Sequence, residues 1–385
     1  MMTPIHPRGH LKALFTGSLV LISLLLTSCS MASVGSTATT LVAGNNGKGC
    51  MRVGVLLPDT TSSTRWENND RPALISDIQA AIPGAHVDYN NAFGNSATQF
   101  DQAEKDMQNG DCILVVAPHD SIAATDIVEA AKAQNVPVIA YDRLIQSKDL
   151  SYYVSFDNVQ VGALQAEYIR THYQDTQFAR PDQTTVKIAM INGSQTDTNA
   201  LLFSIGVHSV LDPMFANGEL DDVYETFTPD WNNSTALTEM ETYLSSNNND
   251  IQVAYVANDG MASSVMAALK TAKLVGKVLV TGQDATAAGV NSILAGNQSM
   301  TVYKPIAQEA KSVGDLIKAI HDGTSTQYLT QGKATVTYDD GSIPSILDTP
   351  ISVDINNINS TVIKDGYLTR QEICQGIAPN TAGVC

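Results

Sequence analysis

From residue 50 onward, short uninterrupted apolar runs alternate with longer stretches in which apolar positions return every three or four residues. The short runs cover 53–57, 87–90, 113–117, 136–141 and 152–156, then 186–191, 223–227, 251–257, 278–281 and 300–303. They are four to seven residues long, and apart from 87–90 and 223–227 they lack alternating polar positions, the pattern of strands buried on both faces. Residues 122–132 show the other period: apolar side chains recur at i, i+3 or i+4, and i+7, which predicts a helix. Two series of five strands with helices between them predict two doubly wound α/β lobes, each a parallel sheet covered on both faces.

The first 49 residues follow a different pattern. Arg8, His10 and Lys12 precede an apolar run over 13–26. That run is too short to span a bilayer, which takes about 20 residues, and fits the core of a secretory signal peptide. It ends in Leu26-Thr27-Ser28-Cys29. This resembles the bacterial lipobox, which implies removal of residues 1–28 and a lipid on Cys29. Residues 29–49 are rich in Ser, Thr, Gly and Asn and predict a flexible tether. The expected location is therefore outside the cell membrane, lipid-anchored to its outer face, in a periplasm or at the cell surface.

With Cys29 set aside, four cysteines remain, Cys50, Cys112, Cys374 and Cys385, and sequence alone permits three pairings. Cys50 and Cys112 each precede a predicted strand. If those strands are parallel neighbours, their starts lie within bridging distance, which leaves Cys374 and Cys385 to close a loop at the C-terminus.

Composition narrows the function. Among 385 residues, 39 acids face 22 bases, a formal net charge of −17. Nucleic acid is excluded as a partner, because binding it requires clustered cations. Removing residues 1–28 takes away Arg8 and Lys12 and no acid, so the exported body is more acidic still. Its charge keeps it soluble. His86, His119, His172, His208 and His321 are scattered singly, without metal-ligand spacing. There is no Gly-x-Ser-x-Gly elbow, no His-Glu-x-x-His motif and no phosphate-binding Gly loop at a strand–helix junction. No catalytic residue, metal or cofactor is expected.

Polar residues collect where predicted strands end. Pro58-Asp59, Tyr141-Asp142-Arg143 and Phe156-Asp157-Asn158 do so in the first series. In the second, Ala257-Asn258-Asp259-Gly260, Thr281-Gly282-Gln283-Asp284 and Val302-Tyr303-Lys304-Pro305 do the same. Any one of these could serve only as a turn and helix cap. Their recurrence, with Arg, Gln and Lys among them, points to a shared site at the carboxyl edge of the sheets, where open α/β folds bind ligands.

These segments, with Arg65-Trp66, Asp197-Thr198-Asn199-Ala200 and Thr301-Val302-Tyr303-Lys304-Pro305, resemble the sugar-binding proteins of bacterial ABC importers, closest to the D-xylose-binding members. The resemblance covers nearly all the chain after residue 50. It implies a type I periplasmic-binding-protein fold with three crossovers, near Asp157, near Lys304 and within 338–342. The first lobe is then 50–157 plus 305–340, the second 158–304 plus 341–373, and 374–385 a C-terminal tail. Two departures stand out: residues 172–185, rich in Gln, Asp and Pro, look like an insertion, and 375–385 look longer than usual. The resemblance implies a monomer that closes on one monosaccharide and delivers it to a permease driven by a separate ATPase subunit.

Arg65, Asp142, Arg143, Asn199, Asn258, Asp284 and Lys304 match family sugar-contacting positions; Gln283 and Asp259 are candidates beside them. The chemistry suits a sugar. Asp accepts from hydroxyls, Arg donates a fork, and Asn and Gln do both. The chain's two tryptophans, Trp66 and Trp231, offer flat faces for sugar C–H groups, the alternative being burial in a lobe core. Charges in a closing cleft must pair, so Arg143 is expected against Asp142 or Asp284, and Lys304 against Asp284. A glycosidase using Asp142 and Asp284 is disfavoured, because adjacent cations hold a carboxylate ionised. A repressor is disfavoured by the export signal, while a sugar-sensing partner of a chemoreceptor or sensor kinase remains an alternative.

Overall fold

The computed structural model describes residues 46–175, 177–178 and 185–385. The expected signal peptide, Cys29 and the tether up to residue 45 lie outside the described residues, as do 176 and 179–184 within the expected insertion. The chain runs through β1 (Arg52–Leu57), α1 (Arg71–Ala81), β2 (His86–Asn91), α2 (Ser96–Gln108), β3 (Ile113–Val116), α3 (Thr125–Ala133), β4 (Val138–Tyr141) and β5 (Tyr152–Phe156). It then crosses to α4 (Asn158–His172), β6 (Val186–Asn192), α5 (Thr198–Ala216), β7 (Leu220–Phe227) and α6 (Asn233–Ser246). The second lobe continues with β8 (Val253–Val256), α7 (Asp259–Thr271), β9 (Leu279–Val280), α8 (Ala287–Leu294) and β10 (Met300–Tyr303). A return segment holds α9 (Ile306–Asp322), α10 (Gln327–Thr330), β11 (Ala334–Val336) and β12 (Ser342–Asp348). The chain finishes with β13 (Ile351–Asp354) and α11 (Arg370–Ile373).

All ten apolar runs are strands. The first sheet has the order β11-β12-β5-β4-β3-β1-β2, parallel except for β11. The second, β7-β6-β8-β9, is parallel throughout, and β10 pairs antiparallel with β13 beside it. Burial explains the unbroken apolar runs. Val53, Val55 and Leu57 face a core completed by Leu74 and Ile78 of α1 and Val313 and Ile317 of α9, while Leu56 faces Ala103 of α2 and Ile127 of α3. Period-two alternation thus divides one strand between two dry faces.

The third crossover lies later than expected. Ser345 to Asp348 of β12 pair in parallel with Tyr153 to Phe156 of β5, so the run expected in the second lobe from residue 341 belongs to the first sheet. The chain changes lobes at 349–350, between β12 and β13. A proline inside a run argues against a strand. Pro344, however, precedes the ladder with β5 and is paired only with Ala334 of β11.

Both bridges form, Cys50–Cys112 and Cys374–Cys385, each with Cα atoms 5.6 Å apart. The first follows from the parallel register Val53↔Ile113. The second ties in residues 374–385, which are not a free tail: Ile373 and Val384 are buried with Val290, Ile293, Tyr303 and Val353 in the second lobe. Residues 46–49, expected at the end of the tether, are instead a turn docked on the first lobe. Asn46 N donates to Asn135 O at 3.1 Å and Gly49 N to His321 O at 2.9 Å.

Candidate binding site

The carboxyl ends of both sheets meet at one cleft, and the loops that follow the strands supply its walls. After β1, Asp59 Oδ1 accepts from Thr61 N at 2.7 Å and Ser62 N at 2.6 Å, a tight turn that presents Ser62, Ser63, Arg65 and Trp66. After β4 come Asp142 and Arg143. The second lobe contributes Asp197, Asn199 and Phe203 from the start of α5, then Trp231, Asn258, Gln283, Asp284 and Lys304. Together they line a cavity of about 30 Å³, room for water-sized groups only with the lobes this close.

Several of these side chains sit on left-handed backbone: Asp142 at φ 57°, Trp231 at 54°, Asp284 at 93° and its neighbour Ala285 at 47°. For residues other than glycine this conformation costs of order 1–3 kcal/mol each, and such outliers gather at ligand sites. Trp231 also depends on Gly193, where an added Cβ would lie 2.2 Å from the indole. Its Nε1 donates to Asp197 Oδ2 at 3.1 Å, and its ring packs edgewise on Phe203. Trp66 Nε1 donates to Ser62 Oγ at 3.1 Å, while the guanidiniums of Arg65 and Arg143 lie 4.7 and 5.2 Å from its ring.

An ionic network fills the cleft floor. Arg65, 1% exposed, forks onto Asp70 through Nε at 2.8 Å and Nη2 at 2.5 Å. It also reaches Asp142 Oδ2 at 2.8 Å and Glu309 Oε2 at 3.2 Å. Lys304 Nζ meets the same Asp142 oxygen at 3.1 Å and lies 3.6 Å from Asp284. Burial alone raises the Asp142 carboxyl, yet Arg65, Lys304 and Arg143 outweigh it and hold the group well below the usual carboxylate range. Asp142 therefore stays ionised, an acceptor for hydroxyls and unfit to give a proton as a glycosidase acid must. Burial, reinforced by Asp142, pushes Glu309 well above its ordinary value.

The lobes are closed onto each other. Arg143 Nε pairs with Asp197 Oδ2 at 2.9 Å, Asn258 Nδ2 donates to Ser62 O at 3.1 Å, and Ser63 Oγ donates to Asp284 Oδ2 at 2.8 Å. Asn199 Nδ2 donates to Asp142 O at 3.0 Å. Gln283 anchors itself by donating to Ala257 O at 3.2 Å, and its buried Oε1 has no hydrogen-bond partner. That acceptor is suited to a ligand hydroxyl.

Of the residues expected from sequence, Arg65, Trp66, Asp142, Arg143, Asn199, Trp231, Asn258, Gln283, Asp284 and Lys304 line the cavity. Asp259 does not. Its carboxylate turns inward and accepts from Gln298 Nε2 at 2.8 Å, Thr301 Oγ1 at 2.9 Å, Thr286 N at 2.8 Å and Thr286 Oγ1 at 3.2 Å. Arg143 pairs with Asp197, not with Asp142 or Asp284, because its Nε points across the cleft to the start of α5. Ser62, Ser63, Asp197 and Phe203 were not anticipated. Asp197 carries the sequence signal of a helix cap, and it does cap α5, accepting from Asn199 N at 2.9 Å. Phe203 lies one turn after Asn199 on the same helix face, a spacing that could have found it.

Burial pushes Asp259 up to about 7, Asp111 to about 8 and Asp106 to about 6. Each folded value lies above the unfolded one, so the stability it contributes is present at low pH and lost as pH rises through the folded value. The unfolding temperature should therefore be higher at pH 5.5 than at pH 8.5 in a thermal melt, and Asp259→Asn should flatten part of that slope. A profile rising toward pH 8.5 would contradict these assignments.

Residues 53–325 match the family described as periplasmic binding protein domain. The chain is 34% identical to the D-xylose-binding periplasmic protein of Escherichia coli (strain K12), over 84% of this chain and 92% of that protein. It is 32% identical to the multiple sugar-binding periplasmic receptor ChvE of Rhizobium radiobacter, over 83% of this chain and 92% of the receptor. Among solved structures, a carbohydrate transporter solute binding protein of Chloroflexus aurantiacus, in complex with D-glucose, superposes with a TM-score of 0.72 at 29% identity. That match covers 83% of this chain and 97% of the other. With two parallel-sheet lobes closing on one polar cleft, the chain belongs to the periplasmic binding protein family and has its type I fold.

Proposed function

We propose that the protein captures one monosaccharide, xylose or a related pentose or hexose, between its lobes and delivers it to an ABC importer. The observation that carries this reading is the cleft itself. Asp142, Asn199 and Gln283 offer acceptors and donors at several angles, Arg143 and Lys304 add charged donors, and two indoles bring apolar surface. That set complements a ring of hydroxyls with an apolar C–H face. The sugars named for the relatives support the same class.

A sugar touching both walls favours the closed form and shifts the population toward it. The closed monomer docks on a permease, whose ATPase subunit supplies the energy. Family membership supports export. In this reading Cys29 becomes the lipid-bearing first residue and residues 29–45 the tether that keeps the body near its permease.

Titration calorimetry of the protein starting near residue 46, against xylose, arabinose, glucose, galactose and ribose, tests the reading. Saturable one-to-one binding to at least one of them is expected, with a matching rise in unfolding temperature by mass action. Binding to none of the five overturns the ligand class.

A further inference from the structure

The cleft does not end at the sugar cavity. A second space of about 290 Å³ lies beside it, walled by the loop 61–64 of the first lobe and by the starts of α6, α7 and α8 of the second. Ser62 and Ser63 line both cavities. The partition between them includes the Ser63 hydroxyl, which donates to Asp284 at 2.8 Å, a contact that a ligand hydroxyl could replace.

The chemistry of the outer space is neutral. Thr61, Ser63, Thr64, Ser263 and Thr286 bring hydroxyls, and Ala287 and Ala288 bring small apolar surface. Its one ionisable lining residue, Asp259, spends its carboxylate on four internal donors. Three helices begin here, but each already has its own cap: Asn232 accepts from Thr235 N, Asn258 from Met261 N and Thr286 from Gly289 N. An anion therefore gains little from them. Asn233 lines the space with a buried Oδ1 that has no hydrogen-bond partner, packed 2.9 Å from where a Cβ on Gly260 would stand. An unpaired buried acceptor asks for an O–H donor.

We propose that this space is an outer subsite for the second, neutral ring of a short saccharide whose first ring occupies the inner cavity. The inference rests on the sugar-binding reading above. A hydroxyl of the saccharide takes the place of the Ser63 hydroxyl as donor to Asp284, and a hydroxyl of the second ring donates to Asn233 Oδ1. The protein then accepts both free monosaccharides and disaccharides.

The test is a calorimetric comparison of xylose with xylobiose and of glucose with cellobiose and maltose. At least one disaccharide should bind with a dissociation constant within tenfold of its monosaccharide. Ala288→Trp, at an exposed position, should leave monosaccharide affinity within twofold and weaken the disaccharide at least tenfold. Asn233→Ala should weaken the disaccharide severalfold and leave the monosaccharide unchanged. Monosaccharide binding with no disaccharide binding overturns the subsite and leaves the sugar reading intact, and so does disaccharide binding that neither substitution affects. Failure of every monosaccharide and disaccharide overturns both.

Discussion

Asp142→Ala should abolish measurable monosaccharide binding in a calorimetric titration and lower the denaturation midpoint of the protein. One Asp142 oxygen meets Arg65 Nη1 at 2.8 Å and Lys304 Nζ at 3.1 Å, and all three side chains are 1–4% exposed. Removing the carboxylate leaves Lys304 paired with Asp284 alone among the described residues, 3.6 Å away, and takes one of three hydrogen-bonded carboxylates from Arg65, in a site shielded from water. Breaking a buried ion pair by deleting one partner typically costs about 3–5 kcal/mol. If even 3 kcal/mol of that falls on binding, affinity drops more than about 100-fold. Asp142→Asn should fall between, because it keeps an acceptor for Asn199 Nδ2, now 3.2 Å from Oδ1, and loses the charge. A variant that binds as tightly as wild type would mean that this network is scaffolding and that the sugar sits elsewhere.

Cys50→Ser combined with Cys112→Ser should destabilise the protein by about 4 kcal/mol on the chain-entropy account of disulfides. The bridge closes 62 residues of chain, far more than the 11 spanned by Cys374 and Cys385, which on the same account contribute about 3 kcal/mol. It also fastens the entry of β1 to that of its neighbour β3 in the first sheet. Denaturant titration of the double variant, read by circular dichroism, checks the size of the effect. An unchanged midpoint would show that the bridge adds nothing to what the β1–β3 ladder supplies.

Most of the parallel strands were legible because they are buried on both faces and so carry apolar runs, as β3, β4 and β8 do. β11 and β13 escaped notice because they are three and four residues long and half exposed, and β12 because Pro344 interrupts it. Most lining residues with charge or a flat ring were legible from their position near strand ends, but Asp197 read as a helix cap and Phe203 as part of an apolar helix. Ser62 and Ser63 were not, since a run of Thr and Ser between Asp59 and Arg65 reads only as loop. Asp259 was misplaced for a geometric reason. It follows Asn258 at the start of α7, and successive helix positions point about 100° apart. One side chain faces the cleft while the next is turned into the lobe, a distinction that adjacency in sequence does not carry.

The sharpest check on the central claim, that one sugar sits between the lobes in this cleft, uses the protein's own fluorophores. Its two tryptophans, Trp66 and Trp231, come from opposite lobes and both line the cavity. Titrating a monosaccharide that binds by calorimetry should change the tryptophan emission saturably, with the same dissociation constant and one-to-one stoichiometry, and Trp231→Phe should reduce the amplitude. Calorimetric binding that leaves the emission of both indoles unaltered would contradict the account.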